Sequence, residues 1–429
     1  MLRTTLRRAG NTKWGLIALL LGLPLPVVLI IWLLMGAMAL CGALCYGELA
    51  ARFPTAGGSY IYLREAYGPA LAFLYGWMTL LVLDPGLTAA LAVGMASYAG
   101  YGLNLAPAGV KAIAVVAIIL LAEVNIRGVR LGGWLVRWLT IFKLGLLMFV
   151  VVWGFAGRLG AWTNFTPFVA QRAGSMPLTA ALAGALVSAF FSFGGWWDVS
   201  KVAGEVREPA KTLPRALTYG VLTVTLVYIL TSAVFIYLVP VERVTSGETF
   251  AAQAGEALFG RVGGQTFAAI IVVTVLGSLA VYIMVAPRVY YAMARDHLFF
   301  PSVAKVHPRF GTPALAIALQ ATLAALLVLL GTFNEIVAYF VFAVVVFVAL
   351  SVAAVFVLRR RTRASESAYL TPGYPATPII FLLLVALLLV LLASNNPRQV
   401  ALGVGVVALG LPVYYLFFRR RFVVETDER

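Results

Sequence analysis

The sequence predicts an all-α polytopic membrane protein, and three observations predict it. Apolar residues make up 62% of the 429 and charged residues only 11%, a balance no soluble globular domain has. The apolar runs are about 18 to 30 residues long, the length of a crossing helix, rather than the alternating ten-residue segments of a membrane barrel. No polar connection is longer than about 25 residues, so no soluble domain is interposed.

Eleven crossings are expected, near 27–49, 69–100, 109–125, 134–155, 178–198, 214–239, 264–294, 311–331, 334–358, 376–393 and 398–417. Two of them, 69–100 and 264–294, are unusually long, and each is followed by two ordinary helices. If 178–198 opens a five-helix unit, its long helix is third. An earlier unit with one helix ahead of 27–49 would place its own long helix third as well. Units of five have opposite orientations, because five is odd, and this inverted repeat is a common plan of secondary transporters. The expected organisation is a single transmembrane domain. It comprises an atypical segment 1–26, the remainder of a first repeat over 27–155, a second repeat over 178–358, two further helices over 376–417 and a tail over 418–429.

The formal charge of +16 does not point to nucleic acid, because the cations are spread over alternate loops and form no single patch. Twenty-one Lys and Arg fall on one face, among them Arg52, Arg127, Lys201, Arg288, Arg359 and Arg419, against six on the other. Cytoplasmic loops carry the excess of Lys and Arg, so the rich face and the C-terminus are expected inside the cell membrane. The basic N-terminal residues Arg3, Arg7, Arg8 and Lys13 fall on the wrong side of that count. Residues 14–26 are too short and too interrupted by Pro24 and Pro26 for a comfortable crossing, so a short or re-entrant helix, or an absent crossing, is expected there. A cleaved secretory signal fits less well, because the apolar run continues well past about 15 residues.

Chemistry concentrates in one stretch. Phe191-Ser192-Phe193-Gly194-Gly195-Trp196-Trp197 lies in an uncharged apolar run and carries two adjacent glycines. Glycines weaken a helix where lipid offers no replacement hydrogen bonds, and a break survives only where the freed backbone groups face protein, water or a ligand. Broken half-helices are therefore candidate sites for small zwitterions or ions. Glycines placed for close helix packing are the alternative.

Other polar residues have plainer readings. Asp84, in the middle of a long helix and followed by Pro85-Gly86, is either a cavity residue paired with a cation or the N-cap of a restarted half-helix. Glu48, Glu205 and Glu208 sit at helix ends near Arg52, Arg207 and Lys211, as inner-gate pairs or ordinary surface pairs. Cys41 and Cys45, one turn apart, read as small packing residues and not as a disulfide. His297 and His307 lack the spacing of a metal site, and no lysine-containing phosphate loop is present, so neither metal nor nucleotide cofactor is expected. No nucleophile–base pair lies at membrane depth, which argues against an enzyme.

Three spaced stretches carry a resemblance. Phe191–Asp198 with Gly204-Glu205-Val206-Arg207-Glu208-Pro209-Ala210-Lys211-Thr212-Leu213-Pro214 resembles the sixth helix and following loop of amino acid permeases. Tyr46-Gly47-Glu48-Leu49-Ala50-Ala51-Arg52-Phe53-Pro54-Thr55-Ala56-Gly57-Gly58 resembles the loop after their second helix. Met293-Ala294-Arg295-Asp296-His297, with Thr312-Pro313, resembles the loop after their eighth. The L-type branch of the amino acid–polyamine–organocation superfamily is the nearest group. The resemblance implies twelve helices in the LeuT-like inverted repeat, sodium-independent transport of amino acids by exchange or proton coupling, and no cofactor. Ser192 with the aromatic Phe191 and Phe193 suggests a neutral amino acid as substrate, and the bilayer and no required protein partner are expected. By the resemblance, the substrate α-amino group would be held at Phe191, Ser192, Phe193, Gly194, Gly195 and Trp196, by backbone carbonyls and a gating Phe191. Lys143 would occupy the place that sodium fills in sodium-coupled members, as a coupling or structural lysine; a snorkelling lysine is the alternative. One departure stands out: no Gly-Ser-Gly-Ile-type break, which holds the substrate carboxylate in the family, precedes Trp32. A truncated or non-transporting protein of the same fold is therefore the competing expectation.

Overall fold

A computed structural model of the chain describes residues 25–128, 133–165, 178–239, 250–331, 333–361, 369–395 and 397–419. The atypical N-terminal segment as far as residue 24, and the tail beyond residue 419, lie outside the described residues. Fourteen α-helices order the described chain: α1 (Leu25–Arg52), α2 (Ser59–Tyr67), α3 (Pro69–Met78), α4 (Asp84–Leu103), α5 (Pro107–Ile126), α6 (Gly133–Ala156), α7 (Leu178–Phe193), α8 (Pro209–Leu238), α9 (Phe250–Val285), α10 (Arg288–Arg295), α11 (Ala314–Leu330), α12 (Phe333–Arg361), α13 (Ala376–Asn395) and α14 (Pro397–Val413). Every expected crossing falls on helix, and among the described residues 8 helical spans are long and apolar enough to cross a membrane by length and composition. The shorter apolar helices 140–156 and 314–330 account for two more. The fold is all-α and polytopic, as the sequence predicts.

Local chemistry sets the boundaries. Proline stands in the first turn of α3, α5 and α8, where its missing N–H costs no helical bond. Asn104 ends α4 in the left-handed region, with φ 52°, and its N–H closes onto Gly100. The expected long helix 69–100 is one span running from Pro69 to Leu103, but a π-helical turn, Thr79–Leu83, joins α3 to α4. That turn bonds the Asp84 N–H back to the Thr79 carbonyl, and Pro85 follows directly. A proline inside a helix removes one ladder bond, and a π-turn is one of the few ways to absorb the defect without ending the helix. Asp84 is therefore not the N-cap of a restarted helix; its backbone is helical and its side chain makes no cap bond.

Small residues set the packing, because lipid gives helices no hydrophobic drive to associate. Helix α1 packs most extensively against α8. A Cβ on Gly36 would lie 2.6 Å from Thr225 of α8, so only glycine allows that approach. A Cβ on Gly42 would lie 2.5 Å from Trp196 and 2.7 Å from Phe381. Cys41 and Cys45 are free thiols, the second buried, consistent with packing residues. On the Lys/Arg-rich face, Asp296 after α10 accepts from the Tyr60 hydroxyl at 2.8 Å and pairs with Arg64, fastening α2 to the end of α10. Burial, and then the Asp296 carboxylate, push the Tyr60 phenol up.

Candidate functional site

The glycine break is real and its geometry is specific. Helix α7 stops at Phe193, Gly195 takes φ +97°, and the chain continues as a 3-10 segment over Trp196–Glu205. A positive φ of that size is strained for any side chain, which explains glycine there. Across the break the Phe191 carbonyl accepts the Gly194 N–H at 3.0 Å, and the Gly195 carbonyl accepts the Asp198 N–H at 3.0 Å. Tyr228 of α8 donates its hydroxyl to the Ser192 carbonyl at 2.6 Å. These bonds leave the Phe193 and Gly194 carbonyls without a backbone partner among the described residues. A carbonyl left without a backbone partner suits an ammonium donor.

A cavity of about 310 Å³ opens beside the break. Ser192, Phe193, Gly194, Gly195 and Trp196 form one wall. The opposite wall is α8, from Ala216 to Tyr228. Five of the six residues singled out for substrate binding therefore line one space, and Phe191 is not among the lining residues. The cavity is thus walled by α8 and not by the two long helices. The wall is held by aromatic packing. Trp32 of α1 lies 4.8 Å, centroid to centroid, from Tyr228 and 5.9 Å from Phe193, and its indole N–H donates to Ser232 at 2.8 Å. Trp196 meets Tyr46 edge-on at 5.0 Å.

The long helices hold the far side of the same segment. Lys201 sits on the 3-10 segment, 1% exposed, with its Nζ 3.1 Å from Asp84 Oδ1 and 2.8 Å from Asp198 Oδ1. Asp84 is fully buried and also accepts the hydroxyls of Tyr282 and Tyr290, each at 2.7 Å. The cation-paired reading of Asp84 is therefore the one realised. Three donors converge on it from the 3-10 segment, α9 and α10. Lys201, counted in the sequence as a loop cation, is withdrawn from the surface to serve as the counter-ion of Asp84.

Lys143 of α6 donates to Ser278 of α9 at 3.2 Å and is half-buried. Ser278 and Tyr282 are one turn apart, so a single face of α9 meets Lys143 and then Asp84. Glu48 does not pair with its neighbour Arg52. Arg359 of α12 donates to both its oxygens, at 2.7 and 2.6 Å, and the Thr371 N–H and hydroxyl add bonds at 2.7 and 2.6 Å. Glu205 reaches Arg288 of α10 at 3.4 Å rather than Arg207, while Glu208 and Lys211 make an exposed pair at 3.8 Å. Long-range partners win here because a helix-end carboxylate gains more from a guanidinium held in place by packing than from a mobile surface cation.

Sequence reasoning missed Asp198, Lys201, Tyr282 and Tyr290. The i,i+3 spacing of Asp198 and Lys201, one turn past the glycines, was the available signal. The tyrosines had none, since tyrosine is common at membrane interfaces. Among the described residues no group of three metal-ligating side chains occurs.

Comparison with known proteins gives this arrangement a family. The amino acid permease family model matches residues 12–418. The chain is 33% identical to the serine/threonine exchanger SteT of Bacillus subtilis, over 92% of this chain and 89% of that protein. It is 27% identical to the human b(0,+)-type amino acid transporter 1, over 92% and 81% respectively. It is 28% identical to the human large neutral amino acids transporter small subunit 2, over 91% and 73%. The chain belongs to the amino acid permease family.

Proposed function

We propose that this permease carries neutral amino acids across the cell membrane by alternating access, independently of sodium, by exchange or proton-coupled uptake. The observation that carries the reading is the break at Gly194-Gly195: Phe193 and Gly194, whose carbonyls have no backbone partner among the described residues, line a cavity of about 310 Å³. A substrate ammonium needs acceptors at membrane depth, and a broken helix is where backbone supplies them. The Ser192 hydroxyl is turned back onto the Ser188 carbonyl at 2.9 Å, so the cavity wall offers few charged or hydrogen-bonding groups beyond backbone and Tyr228. A wall of that kind favours an uncharged substrate side chain. The relatives named for serine and threonine exchange and for large neutral amino acids support the same class.

In this reading residues 27–155 and 178–358 act as the two repeats, and the Lys/Arg-rich face and C-terminus are cytoplasmic. The pairs Glu205–Arg288 and Lys201–Asp84 tie the broken helix to α10 and α4, and inward opening separates them. Glu48–Arg359 is a second tie, between α1 and α12. Purified protein in liposomes loaded with unlabelled serine tests the proposal. Labelled serine, threonine or leucine should accumulate equally in sodium and choline media. Absence of counterflow across the neutral amino acids, from a monodisperse sample, would overturn it.

A further inference from the structure

Helix α8 is longer than a membrane needs. Its 30 residues rise about 45 Å, against a hydrocarbon layer of about 30 Å. About ten residues therefore stand among headgroups, and the polar end with Lys211, Thr212 and Arg215 is the end suited to that place.

That end borders a second cavity, of about 300 Å³, on the Lys/Arg-rich face. Lys211, Arg215 and Tyr219 line it from α8, and Tyr369 lines it from the segment ahead of α13. No Asp or Glu is among the lining residues. Arg215 has no ion pair among the described residues. Lys211 has an exposed contact with Glu208 at 3.8 Å, a kind of pair that contributes little. The Thr218 hydroxyl is turned onto the Pro214 carbonyl at 2.8 Å, so the two cations set the character of the cavity.

Packing fixes Tyr369. A Cβ on Gly47 of α1 would lie 3.0 Å from the Tyr369 ring and 3.1 Å from Pro214, so glycine lets α1 approach both. Two residues on, Thr371 is bonded to Glu48 through its N–H and its hydroxyl. A preformed cavity lined by charges of one sign concentrates anions.

Below the cavity the same face of α8 turns apolar. At about 100° per residue, positions 211, 215, 219, 222 and 226 fall within an arc of about 80°. Tyr219, Leu222 and Leu226 are 67%, 48% and 57% exposed. A tyrosine at headgroup level with leucines beneath it is the order of a lipid-facing surface. From Arg215 to Leu226 the helix descends about 16 Å, close to the roughly 15 Å depth of one leaflet. Cations, a tyrosine and one leaflet of apolar surface on a single stripe match both the head and the chain of a phospholipid. A free phosphate would use the cations alone.

We propose that this cavity holds the phosphate of an anionic phospholipid whose acyl chain lies along Tyr219, Leu222 and Leu226. Lys211 and Arg215 neutralise the headgroup. Leu217, Val221, Val224 and Tyr228, which wall the cavity beside the glycine break, stand on the opposite face of the same helix. The lipid is thus seated on the back of that wall. The site stands without the transport reading; only an effect of the lipid on uptake would rest on it.

Native mass spectrometry of the full-length protein tests the site without any substrate. The detergent-purified protein is incubated with equimolar phosphatidylglycerol and phosphatidylcholine of the same chains. Phosphatidylglycerol should be retained severalfold over phosphatidylcholine. Each cation beside an anionic lipid contributes roughly a factor of five, so Lys211→Gln with Arg215→Gln should lower retention about twentyfold. Arg207→Gln with Arg309→Gln, which removes the same charge outside the cavity, should leave retention near wild type. Phosphatidylglycerol with a photoreactive group on its acyl chain should label α8 around Leu222 and Leu226. Equal retention of the two lipids, undiminished retention in the cavity variant, an equal loss in the control, or labelling confined to other helices would overturn the proposal. So would displacement of the lipid by soluble glycerol phosphate at the same concentration, which would mark a site for free phosphate. If the cavity variant does not fold, headgroup selectivity and the labelled position still decide.

Discussion

Lys201 meets Asp84 at 3.1 Å, the two residues 1% and 0% exposed, across the junction between the broken helix and the long helix. A pair so buried is a modest source of stability but a costly one to break on one side only. Losing either partner would leave a buried charge uncompensated, so the pair holds the 3-10 segment against α4.

Lys201→Met should therefore be severely destabilising, by about 3–5 kcal/mol, because it strands Asp84 without a counter-ion. Adding Asp84→Asn should recover a large part of the loss, since the double variant holds one fewer buried charge. Thermal unfolding of the purified variants in detergent measures both. Additive losses would mean that the two residues act independently.

Gly195→Ala should impair uptake while most of the fold survives. Its φ of +97° costs an L-residue about 1–2 kcal/mol, and relieving that strain would re-aim the carbonyls at the break. Gly405→Ala, on α14, with no heavy atom within 4 Å of an added Cβ, is the matched control. Labelled amino acid counterflow should fall at least tenfold for the first and stay near wild type for the second.

Lys143→Ala should impair transport and leave the protein folded. The ammonium makes a single 3.2 Å bond to Ser278, which contributes about 1–3 kcal/mol at most. Its charge lies on the α9 face that continues to Tyr282 and Asp84, so its loss should show in turnover more than in stability. Counterflow and melting temperature, measured together, separate the two. Unchanged uptake would remove Lys143 from the mechanism.

Glu48→Gln should loosen the tie between α1 and α12. The carboxylate holds a two-pronged Arg359 contact and two bonds from Thr371, and Glu48 is only 2% exposed. An amide cannot satisfy that donor set, and a loss of about 2–4 kcal/mol is expected. Proteolysis of the segment around Thr371 reports it: faster cleavage in Glu48→Gln, and restored protection in Glu48→Asp if one prong re-forms.

Much of the architecture was legible because membranes impose long apolar helices on the chain itself. The break at Gly194-Gly195 was equally legible, since adjacent glycines in an apolar run have local consequences. Partner choice was not. Asp84 read equally as a cap or as a cation-paired residue, and only the π-turn over Thr79–Leu83, with three donors arriving from elsewhere, makes it an acceptor hub. Glu48 and Glu205 read as partners of nearby cations, yet each found an arginine far along the chain.

The sequence by itself determined an all-helical membrane fold, the family and the position of the broken helix, because hydropathy, glycine pairs and motif spacing act within a few turns. The tertiary structure alone decided that Lys201 is buried on Asp84, and that the cavity faces α8. Those outcomes depend on which helices pack together, and in a low-dielectric interior a charge takes the partner that packing brings within about 3 Å, whatever its distance in sequence.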